Sequence, residues 1–134
     1  MRYEFLEHTA DIKFKAYGKT LNEVFENAVL AVAAYVSKDE KIHPRKARKI
    51  EVRGTDIENL LYSFLEELIY LMDVEKFVTA KAEVFIRGNN LTAELYGDVA
   101  ARYNGLDAIK AATYADMYVK KTKKGWELQV VLDV

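Results

Sequence analysis

The residues with the most chemistry in them lie near the two ends of the chain. Asp133 is followed by Val134, so its side-chain carboxylate stands next to the terminal carboxylate. Two hard oxygen groups on neighbouring residues bind Ca²⁺ or Mg²⁺ when a third acid converges on them. Asp11 is that third acid if the first and last strands are neighbours; the alternative is a loose acidic tail. The alternation Trp126, Leu128, Val130, Leu132 runs almost to the end and argues for a tail held in a sheet. His8 lies three residues before Asp11, in the corner Glu7-His8-Thr9-Ala10-Asp11. A ligand and a hydrogen-bonded turn histidine are both open readings for it, and Asp11 alone also suits a turn.

Three further groupings carry weaker chemistry. Lys110-Ala111-Ala112-Thr113-Tyr114-Ala115-Asp116-Met117 sets an amine, a hydroxyl, a phenol and a carboxylate just ahead of an expected strand at Met117 and Val119. Glu66 and Glu67 are adjacent on a helical pattern, so they point about 100° apart and do not form a catalytic pair. Arg45-Lys46-Ala47-Arg48-Lys49, with Arg53, is the one basic strip; it reads as a lysine-protected edge strand or as an RNA or acidic-partner contact. No Gly-rich phosphate loop, paired-histidine motif or nucleophile elbow is present.

The elements that must position these groups follow from periodicity. Residues 3–17 alternate as two short strands around the polar corner. Thr20-Leu21-Asn22-Glu23 is a capping box ahead of the stripe Leu21, Val24, Phe25, Ala28, Val29, Val32, Val36, which predicts a helix ending near Ser37. Residues 46–53 alternate as a strand with a basic outer face. Thr55-Asp56-Ile57-Glu58 reads as a second capping box, leading into Ile57, Leu60, Leu61, Phe64, Leu65, Leu68, Ile69 and Met72. A hairpin then turns at Gly88-Asn89-Asn90, and another at Lys123-Lys124-Gly125. The order β-β-α-β-α-β-β-β-β predicts an α+β two-layer fold, with two main helices on a mostly antiparallel or mixed sheet.

Composition narrows the function classes. The chain has 134 residues, 51% of them hydrophobic, which suits one domain over 1–134 with its own core. It has no cysteine, which excludes disulfides, thiolate metal sites and cysteine nucleophiles. Twenty basic residues against 21 acidic ones leave a net charge of −1 and no global basic field for nucleic acid. The longest apolar run, 28–36, is too short to span a bilayer, and no signal peptide is visible, so a cytoplasmic, monomeric protein with no membrane partner is expected.

Four stretches taken together resemble the archease family: Glu7-His8-Thr9-Ala10-Asp11-Ile12; Asn59-Leu60-Leu61-Tyr62-Ser63-Phe64-Leu65-Glu66-Glu67-Leu68; Ile109-Lys110-Ala111-Ala112-Thr113-Tyr114-Ala115-Asp116-Met117; and Leu132-Asp133-Val134. They occur in the family's order over nearly the whole chain. The resemblance implies a compact α+β domain that is not an enzyme. It implies an activator of the GTP-dependent tRNA-splicing RNA ligase of the RtcB class, promoting ligase guanylylation and multiple turnover and so acting on tRNA indirectly. It also implies a metal site formed by Asp11, Asp133 and the Val134 carboxylate, filled by Ca²⁺, with Mg²⁺ or Mn²⁺ as alternatives. His8, Lys110 and Asp116 are secondary functional candidates. This chain has Ala115 where the family commonly carries His, which shifts weight from 113–117 to the terminal acids. A metal-dependent phosphoester hydrolase using the same acids, and an RNA- or protein-binding chaperone-like module, are the competing readings.

Overall fold

Period-two segments form seven strands among the described residues, and the two 3.6-period stripes form the two main helices. The computed structural model describes residues 1–7, 10–38 and 40–134. In chain order the elements are β1 (Tyr3–Leu6), β2 (Ile12–Gly18), α1 (Leu21–Ser37), β3 (Lys46–Arg53), α2 (Ile57–Glu75), β4 (Phe77–Arg87), β5 (Asn90–Val99), β6 (Ala111–Thr122) and β7 (Gly125–Asp133), with a short 3-10 turn at Ala100–Arg102. The α+β class and the element order agree with the sequence reading.

The strands divide between two antiparallel sheets, ordered β1-β2-β7-β6 and β3-β5-β4. α1 packs on both β2 and β4, and α2 on β6, β4 and β3, so each helix touches both sheets. The apolar stripes are accordingly wide. α1 buries Val24, Phe25, Ala28, Val29, Ala31 and Val36, and α2 buries Leu60, Leu61, Phe64, Leu65, Leu68, Ile69 and Leu71. Phe25 and Phe64 join the helices, with ring centroids 5.9 Å apart.

Polar side chains finish what backbone pairing leaves open. β4 is an edge strand, and α1 covers that edge: Asn22 Oδ1 accepts from Ile86 N at 2.9 Å and Glu26 Oε2 from Val84 N at 2.8 Å. Burial pushes the Glu26 carboxyl up, partly opposed by the bond from Val84. Gly97 on β5 has no room for a side chain, because a Cβ there would lie 2.0 Å from the Val78 carbonyl oxygen on β4.

The helix starts differ in detail from the predicted boxes. Thr20 Oγ1 accepts from Glu23 N at 3.1 Å, but the Glu23 carboxylate reaches Lys19 N at 3.3 Å. In α2 the box lies one residue later than 55–58. Asp56 Oδ1 accepts from Asn59 N at 2.8 Å, and Asn59 Oδ1 accepts from Thr55 N at 3.0 Å. Aspartate caps at least as well as threonine, so Asp56 takes the position.

Candidate functional site

β7 lies between β2 and β6, which is why the two ends of the sequence meet. Ile12 on β2 pairs with Leu132 on β7. Asp11 and Asp133 are the residues immediately beyond that pair, at the same end of the sheet. On the other side Asp133 pairs with Ala111, and its carbonyl accepts from Lys110 N at 2.8 Å. Asp11, Asp133 and Val134 are all half-buried, and Val134 also packs against the core. The tail is therefore a strand end. Lys110 is exposed and enters this corner through its backbone. His8 lies outside the described residues.

The donor chemistry suits a hard cation: Asp11 and Asp133 offer carboxylate oxygens. Among the described residues, no group of three or more acidic or histidine side chains is gathered in a way that could hold a metal ion. The third donor of the expected trio, the Val134 carboxylate, follows Asp133 directly at this end of the sheet.

The segment expected to precede a strand is part of one. β6 begins at Ala111, not Met117, because Ala112 fills a buried position opposite Leu132. The strand then bulges. Thr113 pairs with Val131 and Tyr118 with Gln129, leaving 114–117 to loop out opposite Val130. Thr113 Oγ1 donates to the Val131 carbonyl at 2.8 Å, and Gln129 Nε2 donates to the Asp116 carbonyl at 2.8 Å, fixing both feet of the bulge. Asp116 takes a left-handed φ of 53°, and its carboxylate pairs with Lys13 Nζ at 3.4 Å. Tyr114 turns the other way, onto α2. Its ring stacks on Tyr62 at 4.3 Å and 8°, and its hydroxyl accepts from Asn59 Nδ2 at 2.7 Å. The sequence reading missed this platform, since a bulge carries no periodic signal; four residues lacking strict alternation were the only trace of it.

The basic strip is not a single surface. Arg48 lies over the Phe77 ring at 4.9 Å and pairs with Glu75 at 3.6 Å. Arg45 reaches Asp98, a fully buried carboxylate, at 2.7 Å. The Asp98 carboxylate also accepts from the Tyr103 hydroxyl at 2.7 Å and from Val99 N at 2.8 Å, and Arg102 stands 3.5 Å away. Tyr103 in turn accepts from His43 N at 2.9 Å. The cluster pins the segment before β3 and the turn after β5 to one carboxylate, so Arg45 is a structural partner and not a free RNA contact. Lys46, Lys49 and Arg53 remain exposed on β3.

Burial pushes the Asp98 carboxyl up, but hydrogen bonds from Tyr103 and Arg45 outweigh it and hold the pKa down to about 2. A folded-state pKa below the unfolded one means that the unfolded chain binds more protons in this window. The stability Asp98 contributes is therefore complete above its unfolded value of about 4 and is lost as pH falls through about 2. Urea midpoints measured from neutral pH downward should fall across this window. The difference between wild type and Asp98→Asn should shrink there; a difference independent of pH would remove this role.

A second polar cluster lies on the solvent face of the first sheet. Glu127 accepts from the Tyr118 hydroxyl and faces Lys120 at 3.7 Å and Lys15 at 3.9 Å, while Tyr17 donates to Glu4 at 3.0 Å. Burial and then the carboxylate bonds push both phenols up, Tyr17 to about 12. A cleft of about 600 Å³ opens beside Gly18, Lys19 and Trp126. That is the far end of β2 from Ile12, about 20 Å along the strand, so this cleft is not at the acidic corner. Glu66 and Glu67 stay half-buried on α2. Hydrogen bonding to Glu66 pushes the Tyr62 hydroxyl up.

No helix among the described residues is long and apolar enough to cross a membrane. The Archease protein family model matches residues 3–134. A protein archease of Methanosarcina barkeri is 42% identical over 143 residues, covering 99% of this chain and 96% of the relative. One from Pyrococcus abyssi is 38% identical over 140 residues, covering 99% of both. Among solved structures, protein 1598 of Methanobacterium thermoautotrophicum superposes with a TM-score of 0.80 at 29% identity, covering 98% of each chain. An archease of Thermotoga maritima shares the fold, with a TM-score of 0.60 at 19% identity over 100% of this chain and 98% of that one. A family match over almost every residue, full-length relatives near 40% identity and a common fold lead to one conclusion: the chain belongs to the archease family.

Proposed function

We propose that this chain is a protein activator, not itself an enzyme, of a GTP-dependent tRNA-splicing RNA ligase of the RtcB class. It promotes guanylylation of the ligase and multiple turnover, and so acts on tRNA only through that partner. The observation that supports this reading best is the β2–β7 pairing, which leaves Asp11 and Asp133 at one end of a rigid sheet in a family member. In this proposal Asp11, Asp133 and the Val134 carboxylate hold a divalent cation, Ca²⁺ first, with Mg²⁺ or Mn²⁺ as alternatives. When bound, such an ion supplies positive charge for phosphate oxygens in nucleotidyl transfer.

The chain's own residues do the positioning. The bond from Lys110 N to the Asp133 carbonyl holds Asp133 in β7, and the Ile12–Leu132 pair fixes the strand that follows Asp11. Lys13 Nζ pairs with the Asp116 carboxylate at 3.4 Å. Lys110 and Asp116 stay secondary candidates, as does His8. The protein works as a cytoplasmic monomer until it meets the ligase.

The test is ligation of a broken tRNA by the cognate ligase, with substrate in excess, with and without this protein. The expected result is product beyond one equivalent of ligase only when the protein is present. No increase would remove the reading, and phosphoester turnover by this protein alone would favour the hydrolase.

A further inference from the structure

The solvent side of α2 is acidic and carries exposed aromatic and apolar side chains. Its nineteen residues include Glu58, Glu66, Glu67, Asp73 and Glu75 and no lysine or arginine. Asn59, Tyr62, Glu66, Tyr70 and Val74 follow one another at spacings of three or four, so they form one ridge. Tyr70 and Val74 on that ridge are 50% and 59% exposed, and Tyr114, brought in by the β6 bulge, is 51% exposed.

The aromatic part is rigid before any partner arrives. Tyr114 is stacked on Tyr62 at 4.3 Å and tied by Asn59 Nδ2 at 2.7 Å. Tyrosines held in place lose little entropy on binding, and tyrosine is enriched among residues that dominate interface energies. The charge selects the partner. A guanidinium stacks on a tyrosine face and pairs with carboxylates in a two-pronged fashion, and the exposed ring of Tyr70 lies one helical turn from the Glu66 carboxylate. By contrast, exposed Phe85 on β4 is flanked by Glu83 and Arg87, a mixture that favours neither sign.

We propose that this ridge, with Tyr114, docks an arginine-bearing face of the protein partner; the proposal rests on the ligase reading above. The placement suits it. Ala111, three residues before Tyr114 on β6, pairs with Asp133, so the Tyr114 end of the ridge and the acidic corner are joined by one short stretch of β6.

The experiment measures equilibrium binding of the cognate ligase to this protein, together with the protein concentration giving half-maximal stimulation. Two double variants are compared with wild type: Glu66→Arg with Glu67→Arg, and Tyr70→Ala with Tyr114→Ala. Each should raise Kd and the half-maximal concentration by about tenfold or more while leaving stimulation at saturation unchanged. Wild-type binding should weaken with salt, and the charge-reversed variant should lose that dependence. Lys49→Glu on the second sheet should change neither quantity. Unaltered binding by both double variants would overturn the proposal while leaving the ligase reading intact. Self-association of wild type that these variants abolish would also overturn it, by making the occupant a second copy. A wild-type protein that neither binds nor stimulates the ligase would end the ligase reading, and this inference with it.

Discussion

Asp11→Ala and Asp133→Asn should each reduce stimulation of the ligase to that of the ligase alone, with the fold retained. Neither residue belongs to the apolar core, and both lie at a strand end, so secondary structure by circular dichroism should match wild type. The loss should be near complete because two side-chain carboxylates are a small donor set. Removing one halves the side-chain carboxylates that the proposal gives the cation. The same variants have a readout independent of the ligase. A cation that binds only the folded chain stabilises it by about 2.7 kcal/mol at about one hundred times its Kd. Ca²⁺ should therefore raise the unfolding temperature of wild type and leave both variants unmoved. A variant that still stimulates fully, or that still responds to Ca²⁺, would place the ion elsewhere.

Phe64→Ala should have the largest effect on stability, a loss of about 3–5 kcal/mol. Phe64 is fully buried on α2 and meets Phe25 on α1 with centroids 5.9 Å apart. Its removal costs the transfer free energy of a ring and leaves a cavity between two helices that each contact both sheets. An aromatic pair adds about 0.5–1.5 kcal/mol beyond area burial. Against a total of about 5–15 kcal/mol for a typical native protein, this approaches the margin. Tyr70→Ala, on the exposed side of the same helix, should stay within about 0.5 kcal/mol. Urea unfolding of the three proteins checks both numbers; a Phe64→Ala loss below about 1 kcal/mol would mean that the two helices repack around the gap.

These two experiments probe parts of the molecule that differ in how legible they were. The stripes of α1 and α2 named almost every core residue on the helices, because a helix that buries one side must repeat its apolar residues near 3.6. The start of α2 was displaced by one position, since Thr55 and Asp56 are both good caps and local preference alone does not choose between them. The acidic corner was legible as a possibility. Asp11 and Asp133 are 122 positions apart, and their neighbourhood depends on β2 pairing with β7.

The basic strip shows the opposite case. A run of like charges looks like a surface, yet Arg45 answers to a buried carboxylate 53 residues later and Arg48 to a phenylalanine ring. Nothing local to Asp98 marks it as buried, because burial of an acid becomes tolerable only once Arg45, Tyr103 and the Val99 N–H converge on it. The Tyr114 platform depends likewise on a bulge that interrupts the pairing of β6 with β7.

What the sequence determined by itself was everything that a short stretch of chain decides: the two helices, the alternating strands, the turns at Gly88 and Gly125, the α+β class and the absence of thiol chemistry. Periodicity and turn preference act over a few residues, and they are written in the order of side chains. The tertiary structure alone decided that the strands form two sheets instead of one, that the helices are buried against both, and that residues 114–117 leave the ladder. It alone decided which charges meet. Those outcomes come from contacts between distant segments, whose free energy exists only once the chain has closed on itself.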